Sequence, residues 1–140
     1  MEISYSLSCR DVDWNRVSEI LATVGMGHHL PEIHCKAFEA SHTAVFARCQ
    51  DQLIGFGRAI SDGQYQAAIY DCAVLPEFQG RGVGSAIMGR IVERLSHCNI
   101  ILYASPGREQ FYERHGFARM KTGMALFLEM QSKREGGFIE

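Results

Sequence analysis

The 140-residue chain has no Cys-x-x-Cys pair, no apolar run near the length of a membrane span and almost no net charge. Its five cysteines (Cys9, Cys35, Cys49, Cys72 and Cys98) are odd in number and scattered. That spacing excludes the usual zinc frameworks and argues for free thiols in a reducing compartment, with no metal expected. A bilayer-spanning helix needs ~20 consecutive apolar residues, and none occurs. The formal charge of −2 offers no basic surface for nucleic acid or an anionic membrane. Internal repeats, low-complexity stretches and interdomain linkers are missing too. Met1-Glu2 runs straight into a polar strand-like segment, so no leader is expected and the cytoplasm is the default location. What is present is ordinary globular material: 46% hydrophobic residues, enough for one core. The expected organisation is one domain over residues 1–130 and a flexible polar tail over 131–140.

Apolar periodicity supplies the elements. Ile3–Leu7 alternates as a strand. Trp14, Val17, Leu21 and Val24 recur at three- and four-residue spacing after Asp11 and Asp13, either of which can cap the helix. Glu32–Ala40 reads as a second helix. Thr43–Cys49 and Leu53–Ile60 form a hairpin around Gln50-Asp51-Gln52. Residues 64–75 are apolar on both faces, the mark of a central strand. Val83, Ile87, Ile91 and Leu95 make one core-facing helical row, followed by an all-apolar strand at Ile100–Ala104. Strand, helix and strand with both strands apolar is a parallel crossover unit. A short helix over 107–115 and a last strand over Met124–Met130 complete the pattern. The class is α/β (α+β): a mixed, mostly antiparallel sheet carrying parallel strands 65–75 and 100–104.

The loop inside the crossover carries the chemistry. Residues 74–84 read Val-Leu-Pro-Glu-Phe-Gln-Gly-Arg-Gly-Val-Gly. A strand that breaks at Pro76, passes a glycine-rich loop and opens a helix presents backbone N–H groups to phosphate. Gly80, Arg81, Gly82, Val83, Gly84 and Ser85 are the candidate cradle, with Arg81 as an added cation. The Walker pattern fails because Ser85-Ala86 stands where Lys-Ser/Thr is required. The dinucleotide pattern fails because its third glycine is missing. Asp71 is the one charged residue among Ala68–Val74, a costly choice unless it is paired or functional. It can orient an amine or relay its proton; it can equally be a structural carboxylate that accepts hydrogen bonds. His28, His29, His34 and Cys35 cluster without zinc-type spacing. They read as a solvated loop and helix face, from which one histidine can still touch substrate.

Gln79, Gly82 and Gly84 match (Arg/Gln)-x-x-Gly-x-(Gly/Ala), and residues 111–117 read Phe-Tyr-Glu-Arg-His-Gly-Phe. In this order and spacing the two motifs resemble the GNAT N-acetyltransferase superfamily, over roughly residues 43–130. The segments Ile-Tyr-Asp-Cys-Ala-Val-Leu-Pro and Leu-Tyr-Ala-Ser-Pro are similar to its branch of plant serotonin N-acetyltransferase-like proteins. The resemblance implies acetyl-CoA as co-substrate, with its pantetheine arm between two splayed parallel strands. It implies that Gln79 and residues 80–85 take the pyrophosphate, and that Tyr112 faces the cleft and protonates the departing thiolate while Phe111 packs in the core. A backbone N–H near Ala73 and Val74 would polarise the thioester carbonyl. Asp71 or a water chain would take the proton of the amine. The acceptor expected is a small primary amine, bound by the 25–31 loop, residues near Asp71 and a hairpin after Gly123, with Tyr65, Tyr70 and Phe127 as an aromatic wall. Protein lysines or N-termini, and a non-catalytic CoA-binding module, are the alternatives. A homodimer is compatible with the resemblance. Cys72 has no adjacent histidine to activate it as a nucleophile.

Overall fold

The computed structural model describes residues 2–140 and divides into two compact units, the first ending at Leu102 and the second comprising Tyr103–Glu140. The first holds β1 (Ile3–Ser6), α1 (Trp14–Thr23), α2 (Pro31–Glu39), β2 (Thr43–Cys49), β3 (Gln52–Ser61), β4 (Gln66–Val74), α3 (Val83–Arg94) and β5 (Asn99–Ile101). The second holds α4 (Glu109–Glu113) and α5 (Met130–Glu135). The five strands lie in sequence order in one sheet. β1 to β4 pair antiparallel with one another, and β5 runs parallel to β4. This is the mixed sheet expected from the sequence.

Local chemistry sets the boundaries. Asp13 caps α1, its Oδ1 accepting from the Arg16 amide at 3.2 Å. Pro31 starts α2, where the missing N–H costs nothing. The β2–β3 hairpin turns on Gln50 and Asp51, both at positive φ, as a tight two-residue loop requires. The helices bury opposite faces of the sheet. On one side Val17, Ile20 and Leu21 of α1 and Phe38 of α2 pack with Phe46, Phe56 and Ala73. On the other lie the buried Val83, Ile87, Met88 and Ile91 of α3. That helix sits close because Gly57 has no side chain: a Cβ there would come within 3.0 Å of Ile87 Cγ2 and 2.8 Å of Cys72 Sγ.

Two features depart from periodicity. Between Phe56 and Arg58 of β3 the partners step from Ala73 to Tyr70, so β4 carries one extra residue. This is a β-bulge at Asp71–Cys72, and Asp71 takes φ 55°. Second, residues 124–128 do not form the expected last strand or a hairpin after Gly123. Phe127 is drawn instead toward α5: its amide donates to Met130 Sδ at 3.2 Å, and its ring meets Tyr103 edge-on and Lys133 at 5.0 Å. Met124, Leu126 and Leu128, the other face of the alternation, are exposed. Residues 131–140, read as a polar tail, contain most of α5.

Candidate active site

The site in the first unit begins where β4 and β5 part. Their pairing is limited to Gln66↔Asn99, Ala67↔Ile100 and Ala68↔Ile101. Beyond Ala68 the β4 edge that faces away from β3 therefore has no β5 partner. Leu75 donates to Ile54 of β3 at 2.9 Å. Peptide groups alternate along a strand, so the Val74 amide and carbonyl lie on the opposite, open edge. The Val74 carbonyl accepts from Gln79 Nε2 at 2.9 Å. Gln79 thus ties the loop back to the strand end and leaves the Val74 N–H on the open edge. Ala73 is buried beneath, part of the α1–α2 core.

The loop itself makes one 3-10 turn at Pro76–Phe78 and enters α3 through Gly80 and Gly82, at φ 78° and 81°. Only glycine adopts these angles without strain. A Cβ at Gly80 or Gly82 would meet nothing within 4 Å, so the space over the loop is open. The first intrahelical bond is Ala86 N–H to the Gly82 carbonyl, 3.0 Å. The amides of Val83 and Gly84 stand at the open helix end, where the dipole favours an anion. Val83 is buried and pins this end to the core, while Ser85 and Arg81 are exposed. The Arg81 guanidinium lies 5.6 Å from the Phe78 ring centroid. Two flexible-φ glycines, an open helix N-terminus, a cation and unclaimed space fit a diphosphate, and the unpaired β4 edge fits an extended arm beside it.

Asp71 anchors a second group in the same unit. The bulge projects its carboxylate onto Arg58 of β3, whose Nε donates to Oδ2 at 2.7 Å. Arg58 Nη1 donates to Ser41 Oγ at 3.3 Å, and the guanidinium lies 5.6 Å from both the Phe38 and Tyr70 rings. His34 of α2 is 3% exposed. Its Nε2 accepts from the His29 amide at 2.8 Å, so the loop before α2 hangs on a neutral imidazole. Burial pushes the His34 pKa below its ordinary value, and nearby Asp71 partly offsets this. Tyr70 joins this group. Tyr65 does not: it lies just before β4, five residues and about 16 Å of extended chain from Tyr70, and is exposed. Burial, reinforced by the Asp71 charge, pushes the Cys72 thiol up to about 12, which keeps it from serving as a nucleophile.

Tyr112 lies on α4 in the second unit. Its carbonyl accepts from the His115 and Phe117 amides at 2.9 and 3.1 Å, and the turn closes at Gly116 with φ 90°. The Phe111 ring is only half-buried, and meets Tyr112 edge-on at 5.1 Å and His115 at 4.9 Å. Both aromatic rings lie on the same short turn and are half-buried. Among the described residues, no three His, Cys, Asp or Glu side chains converge on a metal-sized site.

Arg58, Ser41 and Phe38 went unnoticed in the sequence. The available signal was a lone cation, Arg58, in the otherwise uncharged run Leu53–Ile60, matching the lone carboxylate on the next strand.

The family model described as Acetyltransferase (GNAT) domain matches residues 40–119, which include the loop, the bulge and α4. The chain belongs to the GNAT acetyltransferase family. Among its GNAT relatives, serotonin N-acetyltransferase 2, chloroplastic, of Oryza sativa is 34% identical over 134 residues, covering 89% of this chain and 67% of that protein. The uncharacterized N-acetyltransferase ycf52 of Porphyra purpurea is 36% identical over 76 residues, 52% of this chain and 44% of its own length. The chain thus spans under half the length of that relative. A solved structure of a probable acetyltransferase from Meticillin-Resistant Staphylococcus aureus superposes with a TM-score of 0.79 at 25% identity, covering 90% of this chain and 99% of that one. The GNAT fold therefore extends over nearly the whole of it. No helix among the described residues is long and apolar enough to cross a membrane.

Proposed function

We propose that the protein is an N-acetyltransferase that moves an acetyl group directly from acetyl-CoA to a small primary amine. The observation that carries this is the open α3 N-terminus beside an unpaired β4 edge. One feature suits a diphosphate and the other a pantetheine arm. Gln79, Gly80, Arg81, Gly82, Val83, Gly84 and Ser85 hold the cofactor end, and the Val74 amide, set by Ala73 below it, donates to the thioester oxygen as it gains charge. Once Asp71 has taken one proton from the ammonium, the amine nitrogen attacks the carbonyl carbon, the carbon–sulfur bond breaks as Tyr112 donates its phenolic proton to the sulfur, and the second proton leaving the nitrogen restores the phenol through solvent. Free amines are protonated near neutral pH; Asp71 pairs with the ammonium and takes its proton, directly or through water. Residues 1–130 act as one acetyltransferase domain in this reading.

The serotonin N-acetyltransferase name of the rice relative supports an arylalkylamine acceptor. So does the half-buried Tyr70 beside the Arg58–Asp71 pair. The same relative's chloroplastic name supports a plastid location over the cytoplasmic one expected from composition. The test is release of free CoA thiol with tryptamine, tyramine, spermidine and a lysine peptide. Saturable release with an arylalkylamine is expected. Turnover of the peptide alone would replace this reading with a protein acetyltransferase, and tight CoA binding without any turnover would replace it with a binding module.

A further inference from the structure

We propose that Arg58 is a positioning residue for the acceptor: it clamps Asp71 through Oδ2 and so presents Oδ1 to the ammonium group of the amine. The inference rests on the reading of Asp71 as the acceptor carboxylate.

Four observations carry it. Asp71 sits at φ 55° on a bulge, a conformation that costs energy in a non-glycine residue and concentrates at functional positions. The bulge turns its carboxylate onto Arg58, and the 2.7 Å bond has the length of a charge-assisted one. Arg58 is itself immobilised from three elements, by Ser41 beyond α2, Phe38 on α2 and Tyr70 on β4. Among the described residues Oδ1 accepts no hydrogen bond, and the carboxylate side chain keeps 22% of its surface exposed. A part-buried ion pair is weak evidence for stability, because the cost of desolvating both charges offsets their attraction. Holding it with two aromatic rings and a hydroxyl makes sense as orientation: one oxygen occupied, the other aimed outward. Lysine would keep the charge but could not reach Asp71 and Ser41 with two fixed N–H vectors.

The experiment compares wild type with Arg58→Lys, Arg58→Met, Asp71→Asn and the Arg58→Met/Asp71→Asn double variant. Tryptamine, tyramine and spermidine binding is measured by calorimetry, steady-state parameters are determined for both substrates, and melting is followed by circular dichroism. Arg58→Lys should fold, keep its acetyl-CoA affinity within about twofold and lose about 10²-fold in kcat/KM for the amine, the scale of a misplaced group near the chemistry. The double variant should be no worse than Asp71→Asn, because both changes remove one interaction. A merely structural role would lower the melting temperature without selectively weakening the amine. Amine binding and turnover equal to wild type in a folded Arg58→Lys would overturn the inference alone. A wild type that binds none of the amines would overturn it together with the acceptor reading. If Arg58→Met does not fold, Arg58→Lys carries the same test.

Discussion

Gly82 gives the sharpest test of the cradle, because two substitutions there separate backbone strain from charge. The residue sits at φ 81° at the entrance to α3, and a Cβ would meet nothing within 4 Å. Gly82→Ala therefore introduces no clash; it introduces only the cost of a left-handed L-residue, about 1–2 kcal/mol. That cost is present with and without ligand, so it lowers stability while leaving CoA affinity nearly intact. Gly82→Asp carries the same strain and adds a negative charge at the helix end. A carboxylate ~6 Å from a phosphate charge is repelled by about 0.7 kcal/mol in water, or about 1.4 kcal/mol for the two charges of a diphosphate. Displacement of water from the loop increases this. The expected loss is at least about tenfold in acetyl-CoA affinity, with a melting point no lower than that of the alanine variant, because the helix dipole favours the carboxylate. Isothermal titration with CoA and acetyl-CoA, beside thermal melts of all three proteins, reads both quantities. If folded Gly82→Asp bound acetyl-CoA as wild type does, the diphosphate would lie elsewhere and the cradle assignment would be wrong.

Tyr112→Phe is expected to keep fold and CoA binding and to lower kcat by about 10²–10⁴, the span of a positioned general acid; a kcat within twofold of wild type returns Tyr112 to a packing role. Gly57→Ala should destabilise the fold by about 1–3 kcal/mol through overpacking under α3, since its Cβ would lie 2.8 Å from Cys72 Sγ and 3.2 Å from Ile91 Cδ1; an unchanged urea midpoint would show that the helix can move aside. His34 has a lowered pKa in the fold because burial disfavours its charged form, and protonation would set a ring N–H against the His29 amide. The unfolded chain then binds the proton more readily, so this contribution is complete above about pH 6.5 and is lost as pH falls toward and through the folded value. Urea midpoints at pH 7.5, 6.5 and 5.5 should fall more steeply for wild type than for His34→Gln; parallel curves would mean that His34 does not control the loop before α2.

α5 in place of a last strand was not legible in the sequence; the order of elements from β1 to α4, the hairpin, the crossover unit and the glycine loop were. Each rests on short-range physics: apolar period, turn chemistry, and glycines at angles that other residues avoid. Two matches to a family pattern, Gln79 to Gly84 and Phe111 to Phe117, mark the superfamily in the sequence itself. Other features depended on residues far apart in the chain. Asp71 stands out in the sequence as the lone charge of its strand, but only pairing with β3 reveals the extra residue that turns it onto Arg58. Periodicity marks Met124–Met130 as a strand, yet a strand exists only where another takes its hydrogen bonds; here Phe127 packs on Tyr103 and Lys133 and the segment stays outside the sheet. His34 likewise looks like one histidine in a polar cluster, until helix packing buries it among Asp71, Arg58 and the His29 amide. Local sequence determines which elements form and which loop can hold a diphosphate, because those choices are made within a few residues. Charge partners, bulges and the fate of an unpaired strand are decided by tertiary contact, because their energies depend on groups the local sequence does not contain.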